Sequence, residues 1–271
     1  MKVTKISTTD PESGYMFRDG KPEGFFYLDH RTVDIKYNII TDVHITPGNV
    51  NDVDPYINRL DRQIKRFDFK VKYVGLDAGY FTNLICKRIA EKGIQATIGF
   101  RRSPHEKGKY TKYKFQYVKE LDIYVCPDSR ALKYKTTTRD GYKEYISNKN
   151  DCLTCPHKEK CLTGNNEIRT IRRHVWEENK DKVIAFNATD TGKRIYKRRK
   201  ETVERSFADS KELHGLRYCR LRGLSKVSEQ CLLTAVAQNM KKIAMVLDRR
   251  TIYIYYARYS HIVDIKTVLI A

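Results

Sequence analysis

The sequence predicts a mixed α/β fold in which a β-sheet is flanked by helices and interrupted by a cysteine-rich insertion. Three observations support this prediction. Strand-like apolar runs alternate with amphipathic helical patterns over about the first 100 residues. One buried strand pattern ends at Asp77, and a late helical pattern carries Glu204. Between them lies a Lys-, Tyr- and Thr-rich stretch that contains four of the seven cysteines.

The first elements are expected to form an antiparallel hairpin. Residues 25–34 and 37–46 are rich in aromatic and β-branched side chains, with a short polar break between them. Apolar residues then recur at helical spacing in a helix predicted over about residues 53–66. A buried strand over residues 71–77, a helix that begins at Thr82 and a short strand over residues 96–100 complete this part.

The helical signal returns at Lys193, continues to about Glu212 and is followed by a loop and a second helix over about residues 226–247. We expect the second helix to lie in the core because it carries Leu232, Leu233, Val236, Met240, Ile243 and Val246. The predicted division is a first part of the core at 1–102, the insertion at 103–184, completion of the core at 185–247 and a C-terminal tail at 248–271. The aromatic run at 252–258 is interpreted as a strand or an appended segment.

The charge points to a polyanionic partner. Of the 271 residues, 53 are Lys or Arg and 33 are Asp or Glu, which gives a formal charge of +20. Such a charge repels itself unless a polyanion compensates it, so nucleic acid is the expected partner. The chain has no apolar run of the roughly 20 residues that a membrane-spanning helix needs, and its first ten residues have no apolar signal region, so the cytoplasm is the simplest compartment.

One acidic side chain is set within the strongly basic segment from Tyr196 to Lys211. At 100° per residue, one quadrant of a regular helix would contain Glu204 together with Tyr196, Val203, Phe207 and Lys211. Between residues 193 and 226 there are twelve Lys or Arg and four Asp or Glu, and the basic set includes Arg217, Arg220 and Arg222, which suit phosphate contacts. The alternative interpretation is a surface helix with ordinary charge pairs.

Asp77 is the natural partner of Glu204. It ends a buried strand and is followed by Ala-Gly-Tyr, so its carboxylate should emerge at the edge of the sheet beside small residues. Carboxylates on a basic surface supply the hard oxygen ligands that Mg²⁺ prefers when it acts on a phosphodiester. The alternative is a turn or helix-capping aspartate, a common role for Asp near Gly.

The cysteines of the insertion have the composition of a zinc site. Four thiolates, those of Cys126, Cys152, Cys155 and Cys161, would complete a tetrahedral site, although His157 competes as the fourth ligand. An odd number of cysteines without a secretory signal favours thiols or a metal over disulfides. The predicted role of Zn²⁺ is structural, and the alternative is a set of reduced thiols.

The chain resembles the transposases of bacterial insertion sequences that have an RNase H-like DDE catalytic core. The resemblance is carried by Gly75-Leu-Asp-Ala-Gly-Tyr80, by Tyr196, Arg199, Glu204 and Lys211, and by the loop from Gly215 to Gly223. It extends over about residues 7–247, and it is strongest with the group whose core contains a cysteine-bearing insertion before the last acidic residue.

The resemblance implies a metal-dependent DNA transposase. Asp77 would be the second catalytic aspartate and Glu204 the catalytic glutamate, with Mg²⁺ or Mn²⁺ as cofactor. Tyr196, Arg199 and Lys211 would contact DNA, but the family spacing puts Lys200 where the signature has its arginine, so either basic residue is a candidate. The expected partners are transposon ends and target DNA, bound by a homo-oligomer, and the reaction is cleavage of DNA followed by strand transfer.

The first catalytic aspartate of this family has no counterpart ahead of the hairpin, so the chain is expected to be the C-terminal part of a transposase with impaired activity. Asp10, Asp34 and Asp42 are candidates to replace it, although surface or turn roles are the simpler interpretation of each. Two other functions remain open: a non-catalytic DNA-binding protein or regulator derived from a transposase, and an RNA-binding module.

Overall fold

Strand pairing produces three sheets in the computed structural model, which describes residues 5–17, 19–20, 23–100 and 106–259. The chain divides into two compact units, residues 1–71 with 193–271 and residues 72–192. Helices and sheets are both present, so the α/β class is confirmed. The single mixed sheet is not observed among the described residues, because the hairpin and the strand that precedes Asp77 belong to different sheets. The predicted boundaries at residues 102, 184 and 247 stay predictions.

The first unit contains the predicted hairpin. Its sheet is antiparallel, in the order β1-β2-β3, and consists of β1 (Gly14–Met16), β2 (Gly24–Val33) and β3 (Ile40–Pro47). The hairpin is therefore confirmed. Its turn is stabilised by the Asp34 carboxylate, which accepts hydrogen bonds from the backbone N–H groups of Lys36 and Tyr37 at 3.0 and 2.6 Å.

Helix α1 (Tyr56–Phe67) follows the hairpin and is held to β3 by ionic contacts. The Asp42 carboxylate lies 2.7 Å from Arg59 Nε and 3.0 Å from Arg62 Nη2. Arg59 and Asp42 are both largely buried, so each charge needs the other. A second polar contact joins the two long strands, where His30 Nε2 lies 2.8 Å from Thr46 Oγ1.

The later helices of this unit differ from the expected pattern. Helix α6 (Asp190–Arg199) runs into a π-helical turn (Lys200–Glu204) and then into α7 (Arg205–Leu213). The prediction of one regular helix over residues 193–212 is therefore wrong at its centre. A π turn contains one residue more per hydrogen-bonded ring than an α-helical turn, and it changes which side chains share a face.

Helix α8 (Leu224–Tyr259) is longer than predicted and only partly buried. The aromatic run is helical as far as Tyr259, not a strand, and residues 260–271 of the predicted tail lie outside the described residues. Val227 and Cys231 pack against Ile45 of β3. The expected core role is wrong for several apolar residues that are exposed, namely Leu232, Leu233, Val236, Met240 and Ile243. Periodicity locates an apolar face, but it does not show whether another element covers it.

The second unit begins with a parallel strand pair. Strands β4 (Tyr73–Leu76) and β5 (Gln95–Ile98) pair in parallel, and α2 (Asn83–Glu91) connects them. Thr82 caps α2 as predicted, because its hydroxyl accepts a hydrogen bond from Ile85 N at 3.2 Å. Helix α5 (Glu177–Ala188) was not predicted; its Asn187 side chain accepts from Ile98 N and donates to Ile98 O, which secures β5.

The cysteine-containing segment is a folded sheet. Its five antiparallel strands are arranged in the order β10-β9-β8-β7-β6. The strands are β6 (Gln116–Val118), β7 (Ile123–Val125), β8 (Ala131–Thr137), β9 (Tyr142–Ile146) and β10 (Thr170–His174). Two short helices, α3 (Lys149–Leu153) and α4 (Lys158–Cys161), lie between β9 and β10 in the chain. Its core includes Phe115, Tyr124, Leu132 and Tyr145. The sequence analysis found no strands here because tyrosines that alternate with lysines form much of the apolar face.

Protonation of His30 should destabilise the first unit at acidic pH. Its side chain is 2% exposed, and burial, with Arg59 nearby, lowers the pKa of His30 to about 4. Because the unfolded chain binds the proton near the ordinary pKa of about 6.5, the stability contributed by neutral His30 is present above pH 6.5 and lost as the pH falls towards 4. We expect the loss to reach about 3 kcal/mol.

Chemical denaturation between pH 7 and pH 4 measures this effect. The variant His30→Gln should show a smaller decrease in the free energy of unfolding over this range than the wild-type chain. The variant His214→Gln, in the loop before α8, is the control and should behave as wild type. Equal pH dependence in His30→Gln and the wild type would exclude His30 as the responsible group.

Candidate functional site

Glu204 lies at the end of the π turn and is paired with Arg199. Its carboxylate Oε1 is 3.2 Å from Arg199 Nη2, with the Glu204 side chain 49% exposed and the Arg199 side chain 15% exposed. In a regular α-helix, residues five positions apart point in directions about 140° apart. The π turn, whose hydrogen bonds join residues i and i+5, brings this pair onto one side. The Arg199 guanidinium also lies 5.8 Å from the centre of the Tyr196 ring.

The structure thus brings together Tyr196, Arg199 and Glu204 of the predicted signature. The contact with Glu204 is made by Arg199, whereas Lys200 and Lys211 are exposed. The predicted quadrant assumed a regular helix, and the π turn changes the position of Tyr196 relative to Val203, Phe207 and Lys211. The sequence does contain a signal for this difference, namely the spacing of five residues between the arginine and the glutamate.

The helix that follows Glu204 is fixed by a buried guanidinium. Arg31 Nη1 on β2 donates to Ser210 Oγ at 2.7 Å and to Ser206 Oγ at 3.0 Å, and Arg31 Nη2 lies 2.5 Å from Asp29 Oδ2. Gln238 of α8 donates to Ser206 O at 3.2 Å and to Ser210 Oγ. Burial raises the pKa of Asp29, and Arg31 opposes that effect. These contacts tie α7 to the hairpin and to α8.

This buried polar network was not predicted from the sequence. Ser206 and Ser210 are four residues apart on α7, and each is 1% exposed. Two small hydroxyl residues at this spacing place two hydrogen-bonding groups on one helical face. Their partner, Arg31, is remote in sequence, and nothing in the local pattern of the hairpin distinguishes it from a surface arginine.

Asp77 follows β4 and caps a short 3₁₀ turn over Ala78–Tyr80. Its carboxylate accepts a hydrogen bond from Ala78 N at 2.7 Å, and the residue is exposed. The capping role considered for Asp77 is therefore present, and the carboxylate also lies at the strand end where the sequence predicted it. Asp77 belongs to the unit of residues 72–192, whereas Glu204 belongs to the other unit.

The three candidates for a first catalytic aspartate all have structural contacts. Asp34 caps the hairpin turn, and Asp42 pairs with two arginines of α1. The Asp10 carboxylate accepts from Gly223 N at 3.2 Å and from the Tyr27 hydroxyl at 2.8 Å. Burial, together with this bond to Asp10, raises the pKa of Tyr27. Asp34 thus has the turn role considered for it, whereas Asp42 is a largely buried ion-pair partner and Asp10 is a hydrogen-bond acceptor.

The basic loop before α8 is shaped by polar contacts at both ends. Glu12 accepts from Leu224 N at 2.9 Å, beside the bond between Asp10 and Gly223, so two carboxylates meet the N-terminus of α8. Gln230 accepts from Arg220 N at 3.1 Å and donates to Tyr218 O at 3.2 Å. The exposed side chains of this loop include the basic and aromatic ones of Arg217, Tyr218, Arg220 and Arg222.

The four predicted cysteines line one small cavity. Cys126, Cys152, Cys155 and Cys161 surround a space of about 20 Å³. Cys126 Sγ accepts from Arg130 N at 3.4 Å, and the Cys152 thiol donates to Ser147 Oγ at 3.1 Å. Burial raises the pKa of Cys161, an effect to which the three other thiols add. Within the described ranges, no three His, Cys, Asp or Glu side chains form a group that could hold a metal ion.

His157, the alternative fourth ligand, is engaged elsewhere. Its Nδ1 lies 3.2 Å from the hydroxyl oxygen of Tyr110, and the two rings are in tilted contact with centroids 5.8 Å apart. His157 does not line the cavity that the four cysteines share. Cys126, in contrast, lines this cavity together with the other three cysteines.

Comparison with known proteins identifies part of the chain. Residues 125–244 match the family model described as a transposase DDE domain. Searches of the curated proteins and of the solved structures gave no match. Among the helices in the part of the chain that the structure describes, none has the length and apolar character needed to cross a bilayer. The matched segment, which contains Glu204 and begins after Asp77, is similar to the DDE domain of transposases.

Proposed function

We propose that this chain acts in DNA transposition by metal-dependent cleavage and joining of phosphodiesters. The observation that carries the proposal is the paired, half-exposed carboxylate of Glu204 within the segment that matches the transposase DDE domain. In this proposal Glu204 is the catalytic glutamate and Asp77 the second aspartate. A non-catalytic DNA-binding protein with the same basic surface is the alternative.

The chemistry of the two carboxylates suits Mg²⁺ or Mn²⁺. Mg²⁺ is commonly held by one or two carboxylates together with substrate phosphates. Glu204 uses one oxygen for Arg199, and Asp77 accepts from Ala78 N, while both residues are exposed at the surface. A bound Mg²⁺ would activate a water molecule and stabilise charge on the phosphodiester. The chain's own residues orient the carboxylates and bind DNA.

The proposed DNA contacts are the exposed cations around the Glu204 helix. Lys200 and Lys211 lie at and after the π turn, and Arg217, Arg220 and Arg222 lie on the loop before α8. Tyr218, 75% exposed, is available to stack on a base or sugar. Phosphate contacts of this kind give affinity without sequence information. The proposed substrates are double-stranded transposon ends and target DNA.

Cleavage of supercoiled DNA in the presence of Mn²⁺ or Mg²⁺ tests the catalytic proposal. The variants Glu204→Gln and Asp77→Asn should each lose at least about 100-fold in nicking rate, because a metal ligand contributes several kcal/mol to phosphodiester cleavage. The matched control is Glu201→Gln, since Glu201 lies in the same π turn and its side chain is 52% exposed. Nicking by the Glu204→Gln variant at the parent rate would exclude this site.

The wild-type chain must also show nicking for the enzyme proposal to stand. If it binds duplex DNA but does not nick it with either metal ion, the non-catalytic alternative is the correct function of this chain. Competition between duplex RNA and duplex DNA for the chain tests the third possibility, an RNA-binding module. Tighter binding of RNA than of DNA would count against a function in DNA transposition.

The salt dependence of DNA binding tests the role of the basic loop. The triple variant Arg217→Gln, Arg220→Gln, Arg222→Gln should bind duplex DNA more weakly and lower the slope of log K against log salt by about three, because each lost phosphate contact releases about one counterion fewer. Fluorescence anisotropy with a labelled duplex measures the slope. An unchanged slope would show that these arginines do not contact phosphates.

We also propose that the four thiols bind a structural Zn²⁺. The support is that all four line one cavity and that Cys126 Sγ accepts a hydrogen bond from the backbone N–H of Arg130. The proposed role is the expected structural one, and Zn²⁺ would add to a sheet that has its own aromatic core.

Elemental analysis of the purified chain tests this site. We expect about one zinc per chain, lost in Cys155→Ser together with part of the thermal stability, because a structural zinc contributes directly to folding. Cys219→Ser changes an exposed thiol on the loop before α8 and should retain the metal. His157→Ala should also retain it. Absence of zinc from protein purified without chelators would exclude the proposal.

For the DNA-bound state we propose a homo-oligomer. Helix α8 exposes Leu233, Val236, Met240, Ile243 and Leu247, which alternate at spacings of three and four residues. This spacing is the pattern of a helix seam that packs against another helix. The stripe supports assembly, and it leaves the orientation of the two copies open.

A further inference from the structure

The π turn lies between two anchored helical segments. Before it, Arg198 Nε donates to Ile35 O at 3.2 Å. After it, the hydroxyls of Ser206 and Ser210 accept hydrogen bonds from Arg31. Both anchors belong to the same hairpin, so the hairpin sets the distance that the chain spans between them. A residue in excess of the regular α-helical path is then accommodated as a π turn.

A buried threonine stabilises this turn. Thr202 is 4% exposed, and its hydroxyl oxygen lies 3.1 Å from Arg198 O and 3.2 Å from Arg199 O. The hydroxyl is therefore a donor to backbone carbonyls at the point where the helical pattern changes. Removing the hydroxyl without changing the shape of the side chain would remove this support.

The turn determines which cation meets the carboxylate. Arg199, five residues before Glu204, is brought to 3.2 Å from Oε1, while Lys200 is exposed. The guanidinium is 15% exposed and also contacts the Tyr196 ring, so its position is restricted by packing as well as by charge. A carboxylate has two oxygens with about four acceptor sites, so this one contact leaves capacity for a metal ion.

We propose that Arg199 is a positioning residue for Glu204 and that the π turn holds the Arg199 guanidinium beside the Glu204 carboxylate. In this role Arg199 orients the carboxylate for a divalent cation and does not itself bind DNA phosphate. The inference rests on the proposed function of Glu204 as a metal ligand. It assigns different tasks to two adjacent cations, since Lys200 remains available to DNA.

The experiment measures Mn²⁺ binding to the full chain by electron paramagnetic resonance of free Mn²⁺. The diagnostic variant is Arg199→Lys, which keeps the positive charge and therefore keeps any repulsion of the metal ion, but loses the planar guanidinium. We expect its Mn²⁺ affinity at the Glu204-dependent site to fall at least about 10-fold, as for other residues that orient metal ligands. Lys197→Arg changes an exposed lysine of α6 and is the control, which should bind Mn²⁺ as wild type.

A second pair of variants tests the π turn itself. Thr202→Val removes the hydroxyl and should weaken Mn²⁺ binding in the same direction as Arg199→Lys, whereas Thr202→Ser keeps the hydroxyl and should not. Circular dichroism and thermal unfolding establish that each variant is folded. This pair keeps the proposal testable if Arg199→Lys does not fold.

The outcomes separate the two proposals. If Glu204→Gln leaves Mn²⁺ binding unchanged, the proposed function of Glu204 fails and the positioning role falls with it. If Glu204→Gln abolishes the site while folded Arg199→Lys and Thr202→Val bind Mn²⁺ as wild type, only the positioning role is overturned. Loss of DNA affinity in Arg199→Lys, with Mn²⁺ binding intact, would assign Arg199 to phosphate instead.

Discussion

The buried guanidinium of Arg31 is the constraint on which the geometry of the first unit depends. Its side chain has no exposed surface, so its charge must be compensated inside the protein. It meets Asp29 on its own strand and both serines of α7, while Gln238 of α8 binds the same serines. Because hydrogen bonds to a charged group are stronger than neutral ones, one residue of the hairpin fixes the register of the helix that follows Glu204.

Several acidic residues of the first unit are engaged in structural contacts, which explains the character of its surface. Asp10 and Glu12 meet the start of α8, Asp34 caps a turn, and Asp42 neutralises two arginines of α1. These carboxylates are therefore committed to the fold. The arginines and lysines around the Glu204 helix and the following loop keep a large surplus of positive charge in a chain of +20. A surface of this kind attracts a polyanion while its shape is maintained by acidic groups behind it.

Local periodicity explains which parts of the fold and of the candidate site were predictable. Strong patterns predict the elements of the first 100 residues. Strand-like runs predict the hairpin and the strand that follows α2, and helical spacing predicts α1 and α2. Strands β6 to β10 were not predicted, because tyrosines share their core with single aliphatic residues such as Leu132 and Ile171 and no aliphatic run marks the strands. The π turn was missed because a fixed 100° rotation was assumed, although the spacing of Arg199 and Glu204 carried the signal. The partners of Arg31 are distant in sequence and leave no local pattern.

The exposure of the two adjacent cations gives a physical reason for the extra residue in the Glu204 helix. An exposed lysine is a flexible, strongly hydrated charge, so Lys200 would divide its time between the carboxylate, solvent and nearby phosphates. Arg199 is largely withdrawn from solvent and rests against Tyr196, so pairing with Glu204 costs it little further freedom. A regular α-helix would point the side chains of Arg199 and Glu204 about 140° apart. The π turn therefore gives the carboxylate a fixed inner cation, while the outer cations stay exposed at the surface.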